Sequence, residues 1–88
     1  MATIQLTVVT PEGKLFEGAA ERVIVRATGG DVCVMARHID FSTSLGKGEG
    51  RVTLPDGTVR RAEIEGGMLH AASDAVQIIT NHFTWKEA

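Results

Sequence analysis

Alternating apolar and polar residues recur along this chain, with turn-forming residues between them. Ile4, Leu6 and Val8 alternate with other residues in the period-two pattern of a strand that buries one face. Further strands are predicted at residues 22–27, 51–54, 59–65 and 76–80. No stretch has the i, i+3, i+4, i+7 apolar spacing of a long helix. The pattern therefore predicts an all-β sandwich or barrel.

Turn chemistry supports this assignment. Pro11 to Lys14 predicts a turn, followed by a short return strand at Leu15 and Phe16. Asp56-Gly57 between two strand-like runs is typical of a β-hairpin. Gly66-Gly67 interrupts a strand pattern, which indicates a bulge or a close backbone approach. Near the end of the chain, we expect Phe83 and Trp85 to cover an edge of the core.

Three glycines in Gly46-Lys47-Gly48-Glu49-Gly50 superficially suggest a phosphate-binding loop. Such a loop needs a Lys-Ser/Thr pair and a following helix whose N-terminus faces the anion. Here the glycines lead into the strand at residues 51–54, so we interpret them as a strand connection with unusual backbone angles. The Asp56-Gly57 hairpin has no lysine at its tip, which argues against a biotin or lipoyl carrier.

The central part of the chain, from Gly29 to Leu45, changes character half way. Val32 to Met35 are consecutively apolar, which predicts a short strand buried on both faces, with Cys33 as a small core hydrophobe. Polar and charged side chains follow at Arg37, His38 and Asp40. This composition is typical of a surface loop, and such loops often carry binding functions.

Composition narrows the class of protein further. Eighty-eight residues predict one domain over residues 1–88, and 43% hydrophobic with 23% charged residues is typical of a folded protein. A net charge of −2, spread along the chain, gives no basic face for nucleic acid. The lone Cys33 excludes an internal disulfide. Neither a signal peptide nor an apolar run near the ~20 residues of a membrane helix is evident.

Candidate catalytic and metal-binding groups are sparse. His38, His70 and His82 lie far apart and form no paired-ligand motif, so we predict no metal and no cofactor. Ser42 to Ser44 lack the G-x-S-x-G context of a nucleophile. The hypothesis of a small hydrolase that uses His38 and Asp40 is supported only by the proximity of these two residues in the sequence. Enzymatic activity of the chain itself is not expected.

Several segments together resemble one family. They are the opening LTVVTPEGKLFEG, the strand RVIVRA, the turn TGGD, the apolar run into RHIDF, and GGMLH before VQIIT. In this order they resemble the N-terminal β-sandwich of the epsilon subunit of rotary F-type ATP synthases, called delta in mitochondria. The resemblance covers nearly the whole chain.

The resemblance implies a flattened ten-stranded antiparallel β-sandwich and a non-catalytic role in the central stalk. One side would pack on the gamma subunit, and one end would meet the polar loops of the membrane c-ring, so that ion transport stays coupled to ATP synthesis. The protein would then be peripheral at the cytoplasmic face of a bacterial membrane, without direct insertion into the bilayer. Nucleic acid is not an expected partner.

The resemblance also implies which residues would form the two interfaces. The family has an acidic residue after the glycine turn and a histidine after the apolar run, matched by Asp31 and His38. With the neighbouring Arg37 and Asp40, these would form the c-ring interface. The gamma interface would include Thr10 and the pair Gly66-Gly67.

Two departures from the family are evident. Many members have prolines on both sides of the loop histidine, whereas this chain has Ala36 and Asp40 in the loop and would hold it through Ile39 and Phe41. The family's C-terminal helical hairpin is absent, so we expect no inhibitory or ATP-binding role. The chain is then either naturally short or a domain cut at its boundary. The alternative function is a free-standing β-sandwich that binds a peptide or small ligand through residues 29–45.

Overall fold

The computed structural model describes residues 3–37 and 40–86, which form two five-stranded sheets packed face to face. The ten strands are β1 Ile4–Thr10, β2 Gly13–Ala20, β3 Arg22–Ala27, β4 Gly30–Met35, β5 Phe41–Ser44, β6 Lys47–Thr53, β7 Val59–Glu65, β8 Met68–Ala72, β9 Ala75–Ile79 and β10 Phe83–Trp85. Sheet I has the order β2-β1-β9-β8-β5, and sheet II has the order β10-β7-β6-β3-β4. No helix occurs among the described residues. The predicted all-β, ten-stranded sandwich is therefore confirmed.

One strand pair departs from the predicted antiparallel arrangement. β1 and β9 run parallel, in register from Gln5 opposite Ala75 to Val9 opposite Ile79, whereas the other strand pairs are antiparallel. Parallel pairing requires a long connection between the strands. Most of the chain separates β1 from β9, so no tight hairpin constrains their relative direction.

The core lies between the sheets and follows the predicted alternation. Ile4, Leu6 and Val8 of β1 are fully buried. Apolar residues from both sheets complete the cluster: Ala20, Val23, Val25, Val34, Leu45, Val52, Ile64, Leu69, Ala71, Val76 and Ile78. Phe83 and Trp85 pack against its edge, with their ring centroids 4.9 Å apart, as the sequence predicted.

Strand β4 is buried on one face only, so the prediction of burial on both faces was wrong. Val34 faces the core, whereas Cys33 is exposed and Met35 is 50% exposed. β4 forms one edge of sheet II, and the outer face of a two-layer sandwich contacts solvent. An apolar run therefore does not reveal whether a second layer covers its outer face.

Two local predictions concern hairpins. β2 extends over Gly13–Ala20 rather than the short strand predicted at Leu15 and Phe16, because it pairs with β1 along its length. The hairpin predicted at Asp56-Gly57 joins β6 to β7, with Gly57 at φ +92°.

The glycines of β6 permit close packing rather than unusual backbone angles, which corrects the interpretation of this segment. Gly48 and Gly50 lie within the strand, and neither has a positive φ. A Cβ atom at Gly50 would lie 2.7 Å from Ile64 Cδ1, and one at Gly48 would lie 2.9 Å from Arg26 Cβ. Neighbouring side chains occupy the space that larger residues would need.

Three connections between the sheets meet at one end of the sandwich. They are Leu45-Gly46 between β5 and β6, Gly66-Gly67 between β7 and β8, and residues 80–82 between β9 and β10. Leu45 N–H donates to Gly67 O at 2.9 Å, and Gly66 N–H donates to Gly46 O at 3.2 Å. We call this end, together with the β1–β2 and β3–β4 turns that share it, the glycine end.

Gly67 lies in the tightest part of the glycine end. Its φ is +107°, and a Cβ atom there would lie 2.3 Å from the carbonyl oxygen of Ile79. The close backbone approach predicted for Gly66-Gly67 is therefore confirmed. Gly66 has a φ of +71° but faces open space, so the two glycines have different tolerances to substitution.

Thr80 fixes the same segment through its side chain. Its buried hydroxyl donates to Gly66 O at 2.8 Å and accepts the N–H of His82 at 3.2 Å. One hydroxyl therefore satisfies two backbone groups that the strand ladders leave free. The opposite end of the sandwich, which we call the far end, contains Arg37 and Asp40, the β6–β7 turn and the β8–β9 turn.

We expect Gly67→Ala to destabilise the protein by about 2–4 kcal/mol, because the new Cβ meets backbone at a strained positive φ. Urea denaturation followed by circular dichroism would measure the free energy of unfolding. Gly29→Ala is the matched control, since Gly29 has no neighbour within 4 Å and no positive φ. Equal unfolding midpoints for both variants would contradict the close approach at Gly67.

Thr80→Val should cost about 1–3 kcal/mol of stability, because the isosteric side chain leaves Gly66 O and His82 N–H without their buried partner. The same denaturation experiment applies. Thr84→Val on the exposed face of β10 should change the free energy of unfolding little. A Thr80→Val protein as stable as the Thr84→Val protein would show that the hydroxyl does not hold this segment.

Candidate functional site

The glycine end brings together part of the predicted site. Thr10 closes β1 beside the β1–β2 turn, and Asp31 follows the β3–β4 turn. Gly66 and Gly67 connect β7 to β8 at the same end. Asp31, which was predicted to contact the c-ring, thus lies at the same end of the sandwich as the residues predicted to contact gamma. The sequence analysis had assigned the two groups to different surfaces.

Thr10 turns its side chain away from solvent. It is 6% exposed, and its hydroxyl lies 3.3 Å from Gly13 O, to which it donates across the β1–β2 turn. A partner at this end would therefore contact the backbone and neighbours of Thr10 more than its hydroxyl. Its observed role is to hold the turn in place.

Asp31 presents a carboxylate at the surface of the glycine end. The Nε of Arg26 donates to its Oδ1 at 2.6 Å, and both side chains are half-exposed. Exposed ion pairs contribute little to stability because water competes for both charges. The carboxylate can therefore exchange Arg26 for a group on a partner at small cost.

The remaining predicted ring residues lie at the far end. Arg37 is exposed, with a φ of +65°, in the segment that leaves β4. Asp40 accepts a hydrogen bond from the backbone N–H of Ser73 at 2.9 Å, which ties it to the β8–β9 turn. His38 lies outside the described residues.

The structure therefore separates Asp31 from Arg37 and Asp40. They lie at opposite ends of β4, and a strand of this length spans about 17 Å at ~3.3 Å per residue. A single partner could meet both ends only by lying along the β4 edge. The sequence analysis grouped Asp31 with Arg37 because they are close in sequence, but the short strand β4 between them places them at opposite ends of the sandwich.

An apolar row beside the glycine end was missed by the sequence analysis. Val9, Ile79 and Met68 are direct neighbours across three strands on the outer face of sheet I. Ile79 and Met68 are each 48% exposed, among the most exposed large apolar side chains described. Alternation within each strand could have predicted that they face outward, but their alignment depends on strand register.

The outer face of sheet II carries most of the ion pairs. Lys86 Nζ lies 3.1 Å from Glu49 Oε2 and 3.5 Å from Glu63 Oε2. The hydrogen bond that Lys86 donates to Glu49 lowers the pKa of Glu49. The same hydrogen bond raises the pKa of Lys86. At the far end, backbone and side-chain hydrogen bonds from Thr58 lower the pKa of Asp56. None of these groups belongs to the predicted site.

One Ser-His pair forms across the strands. Ser42 Oγ lies 2.6 Å from His70 Nδ1 on the outer face of sheet I, although the residues are far apart in sequence. Gln77 lies opposite His70 on the other side, so the register supplies an amide there rather than a carboxylate. The arrangement is a polar pair on an open face and lacks the orienting acid of a hydrolytic triad.

Residues 3–37 and 40–86 offer neither a cluster of metal ligands nor a membrane-spanning helix. This part of the chain contains no group of three His, Cys, Asp or Glu residues placed to hold a metal ion. It also contains no helix long and apolar enough to cross a membrane. The glycine end and the adjoining apolar row remain the candidate site, and their geometry favours contact with another protein.

Comparison with known families agrees with this geometry. The sequence model of the ATP synthase delta/epsilon chain β-sandwich domain matches residues 3–86. The ATP synthase epsilon chain of Shouchella clausii is 34% identical over 79 residues, covering 90% of this chain and 59% of the relative. That of Caulobacter vibrioides is 35% identical over 83 residues, covering 93% of this chain and 94% of the relative.

Solved structures show the same fold. A chain in the Euglena gracilis mitochondrial ATP synthase structure of OSCP, F1 and c-ring superimposes with a TM-score of 0.91 at 23% identity, covering 97% of this chain and 54% of that chain. A chain in the central stalk and c-ring structure of the Tetrahymena thermophila mitochondrial ATP synthase gives 0.76 at 12% identity, covering 91% and 64%.

This chain spans about three-fifths of the length of several curated relatives that it matches, and 94% of the Caulobacter vibrioides protein. The match nevertheless includes every described strand, because the family model begins before β1 and ends after β10. The chain therefore belongs to the ATP synthase delta/epsilon family, whose β-sandwich domain it matches over residues 3–86.

Proposed function

We propose that this protein is a non-catalytic subunit in the central stalk of a bacterial F-type ATP synthase. It links the gamma subunit to the c-ring and so couples ion transport to ATP synthesis. It works at the cytoplasmic face of the membrane as a peripheral part of the complex. The family match over residues 3–86 is the observation that carries this proposal.

A stalk subunit must transmit torque without deforming, and the sandwich suits that requirement. Its core is a continuous apolar cluster contributed by both sheets. Close-packed protein interiors have low compressibility. The hydrogen bonds that join Leu45-Gly46 to Gly66-Gly67 further fix one sheet against the other. The protein would act as a rigid spacer, while catalysis takes place in other subunits.

Asp31 is the residue that we propose for contact with the polar loops of the c-ring. It is exposed at a turn of the glycine end, and its ion pair with Arg26 can be exchanged for a contact with a partner. Charges at the rim of an interface set specificity and orientation more than affinity. Arg37, His38 and Asp40 would join this contact only if the ring lay along the β4 edge.

The gamma subunit would contact the same end of the sandwich from the side of sheet I. Gly66 faces open space at this end of the sandwich, and Thr10 closes the β1–β2 turn at the same end. Small residues allow a partner to approach the backbone closely. A free-standing peptide-binding module remains the alternative, and it would be favoured if a folded chain ignored gamma.

Asp31→Arg should weaken association with the c-ring about tenfold, because it places a like charge or an unmatched charge at the contact. The measurement is retention of the protein, together with gamma, on purified c-rings. Asp74→Arg is the matched control at the exposed β8–β9 turn of the far end. Equal retention of both variants would contradict the assignment of Asp31.

Arg37→Glu in the same assay distinguishes the two ring geometries. If the ring meets only the glycine end, retention stays at the wild-type level. A loss as large as that of Asp31→Arg would indicate instead that the ring lies along β4, with Arg37 and Asp40 in the contact.

Gly66→Asn should weaken gamma binding about tenfold while leaving the fold intact. Asn tolerates the left-handed backbone that Gly66 adopts, and its side chain would point into the space that the partner needs. Calorimetric titration with the gamma subunit of the same organism measures the affinity. Gly67 is unsuitable for this purpose, because its substitution disturbs the fold.

Gly57→Asn is the control for Gly66→Asn. Gly57 also has a positive φ and no neighbour within 4 Å, but it lies at the far end. Unfolding midpoints of both variants should stay close to that of the wild type. Wild-type affinity for gamma in Gly66→Asn would remove Gly66 from the proposed interface.

A further inference from the structure

The four edge strands of the sandwich differ in how well they are protected. The edges of sheet I are β2 and β5, and those of sheet II are β10 and β4. An edge strand exposes backbone N–H and C=O groups that can pair with a further strand. Folded proteins therefore protect their edges with short strands, charged side chains, prolines or bulges.

Three of the edge strands carry such protection. β10 is three residues long and β5 is four residues long. The register between β2 and β1 shifts at Leu15, and β2 also carries the charged side chains of Lys14 and Glu17. Short length, irregular register and charge each make a strand a poor template for pairing.

β4 has none of these protections. It is six residues long, it pairs with β3 without a register shift, and it contains no Pro, Lys or Arg. Its single charged residue is Asp31, the second residue of the strand. Within residues 3–37 and 40–86, its backbone pairs with β3 alone. β4 therefore presents a regular and mostly apolar open edge.

The register identifies the backbone groups that face this open edge. The carbonyl oxygen of Arg26 accepts the N–H of Gly46 on the side of β6, so the backbone groups of Arg26 turn away from Asp31, its partner in β4. Hydrogen-bonded and non-hydrogen-bonded pairs alternate along an antiparallel ladder. Asp31, Cys33 and Met35 therefore direct their N–H and C=O groups to the open edge.

These three residues are complementary to themselves. If a second β4 runs antiparallel about a two-fold axis at Cys33, Asp31 lies opposite Met35 of the second copy, and Cys33 lies opposite itself. All three residues then exchange backbone hydrogen bonds with the second copy, which no other antiparallel register of the two strands achieves. Two-fold contacts of this kind are the commonest way in which identical chains associate.

The charges at the two ends of β4 favour the antiparallel direction. Asp31 lies at the start of the strand, and the exposed Arg37 follows its end. Antiparallel pairing brings Arg37 of each copy to the end where Asp31 of the other copy lies. Parallel pairing would instead place like charges beside each other, which is unfavourable. Opposite charges at the rim of a contact fix its orientation.

We propose that the isolated chain forms a transient homodimer, in which two β4 edges pair antiparallel and join the two copies of sheet II into one continuous sheet. This inference goes beyond the proposed function and does not depend on it. A strand pair of six residues, about 20 Å long, buries less than the roughly 1,600 Å² of a standard interface. The dissociation constant should therefore lie above about 1 µM.

Sedimentation of the isolated chain between about 1 µM and about 1 mM tests this proposal. The wild type should change from monomer to dimer over this range. Cys33→Lys should weaken dimerisation at least about tenfold, because each new ammonium group would face its own copy across the two-fold axis. Cys33→Ser adds no charge and should dimerise like the wild type.

Val59→Lys is the matched control for Cys33→Lys. Val59 is 48% exposed and also lies on sheet II, but it belongs to β7 rather than to an edge strand. Its dimerisation should stay within about threefold of the wild type. Chemical denaturation of every variant verifies that the fold is retained.

A charge exchange tests the antiparallel direction. Arg37→Glu should weaken dimerisation about threefold, because the new carboxylate would lie near Asp31 of the second copy. Combining it with Asp31→Lys should restore the wild-type affinity, since opposite charges would then meet again at both ends of the contact.

Three results would overturn the proposal. A wild-type chain that stays monomeric up to about 1 mM would leave the β4 edge to a strand of another protein. Equal dimerisation of Cys33→Lys and Val59→Lys would assign the contact to another surface. Failure of the charge exchange to restore dimerisation would contradict antiparallel pairing. Binding to gamma and to the c-ring is measured separately, so the proposed function stands or falls independently of these results.

Discussion

The sandwich depends on the way its two sheets are joined at the glycine end. Three of the connections between the sheets meet there, and each is held by hydrogen bonds to another. Gly67 makes this possible, because no side chain fits between its Cα and the carbonyl of Ile79. Thr80 then satisfies the backbone groups that the crossing leaves free. These contacts also position Gly66, which belongs to the candidate site.

The two outer faces of the sandwich differ in charge. Sheet II carries ion pairs on its outer face, and sheet I is uncharged there except on its edge strand. A rigid body with one charged face and one neutral face suits a subunit that would contact another stalk subunit on one side and solvent on the other. The family match carries the proposed function, and the continuous apolar core and the difference between the two outer faces support it.

The candidate site was only partly accessible to sequence reasoning. Asp31, Thr10 and the Gly66-Gly67 pair were named from family resemblance, and the structure brings them to one end. Arg37 and Asp40 were grouped with Asp31 because they are close in sequence, yet β4 carries the chain to the opposite end between them. The Val9, Ile79 and Met68 row was missed, since it depends on register across three strands.

The sequence by itself determined the strand content, the Asp56-Gly57 hairpin and the inward row of β1, because alternation and turn chemistry are local properties. It also identified the family, since an ordered set of short segments survives divergence. Only the tertiary structure decided which face of β4 is buried, that β1 pairs in parallel with β9, and which residues share an end. Those outcomes depend on how strands from distant parts of the chain align and on which sheet faces meet, and no local pattern encodes either.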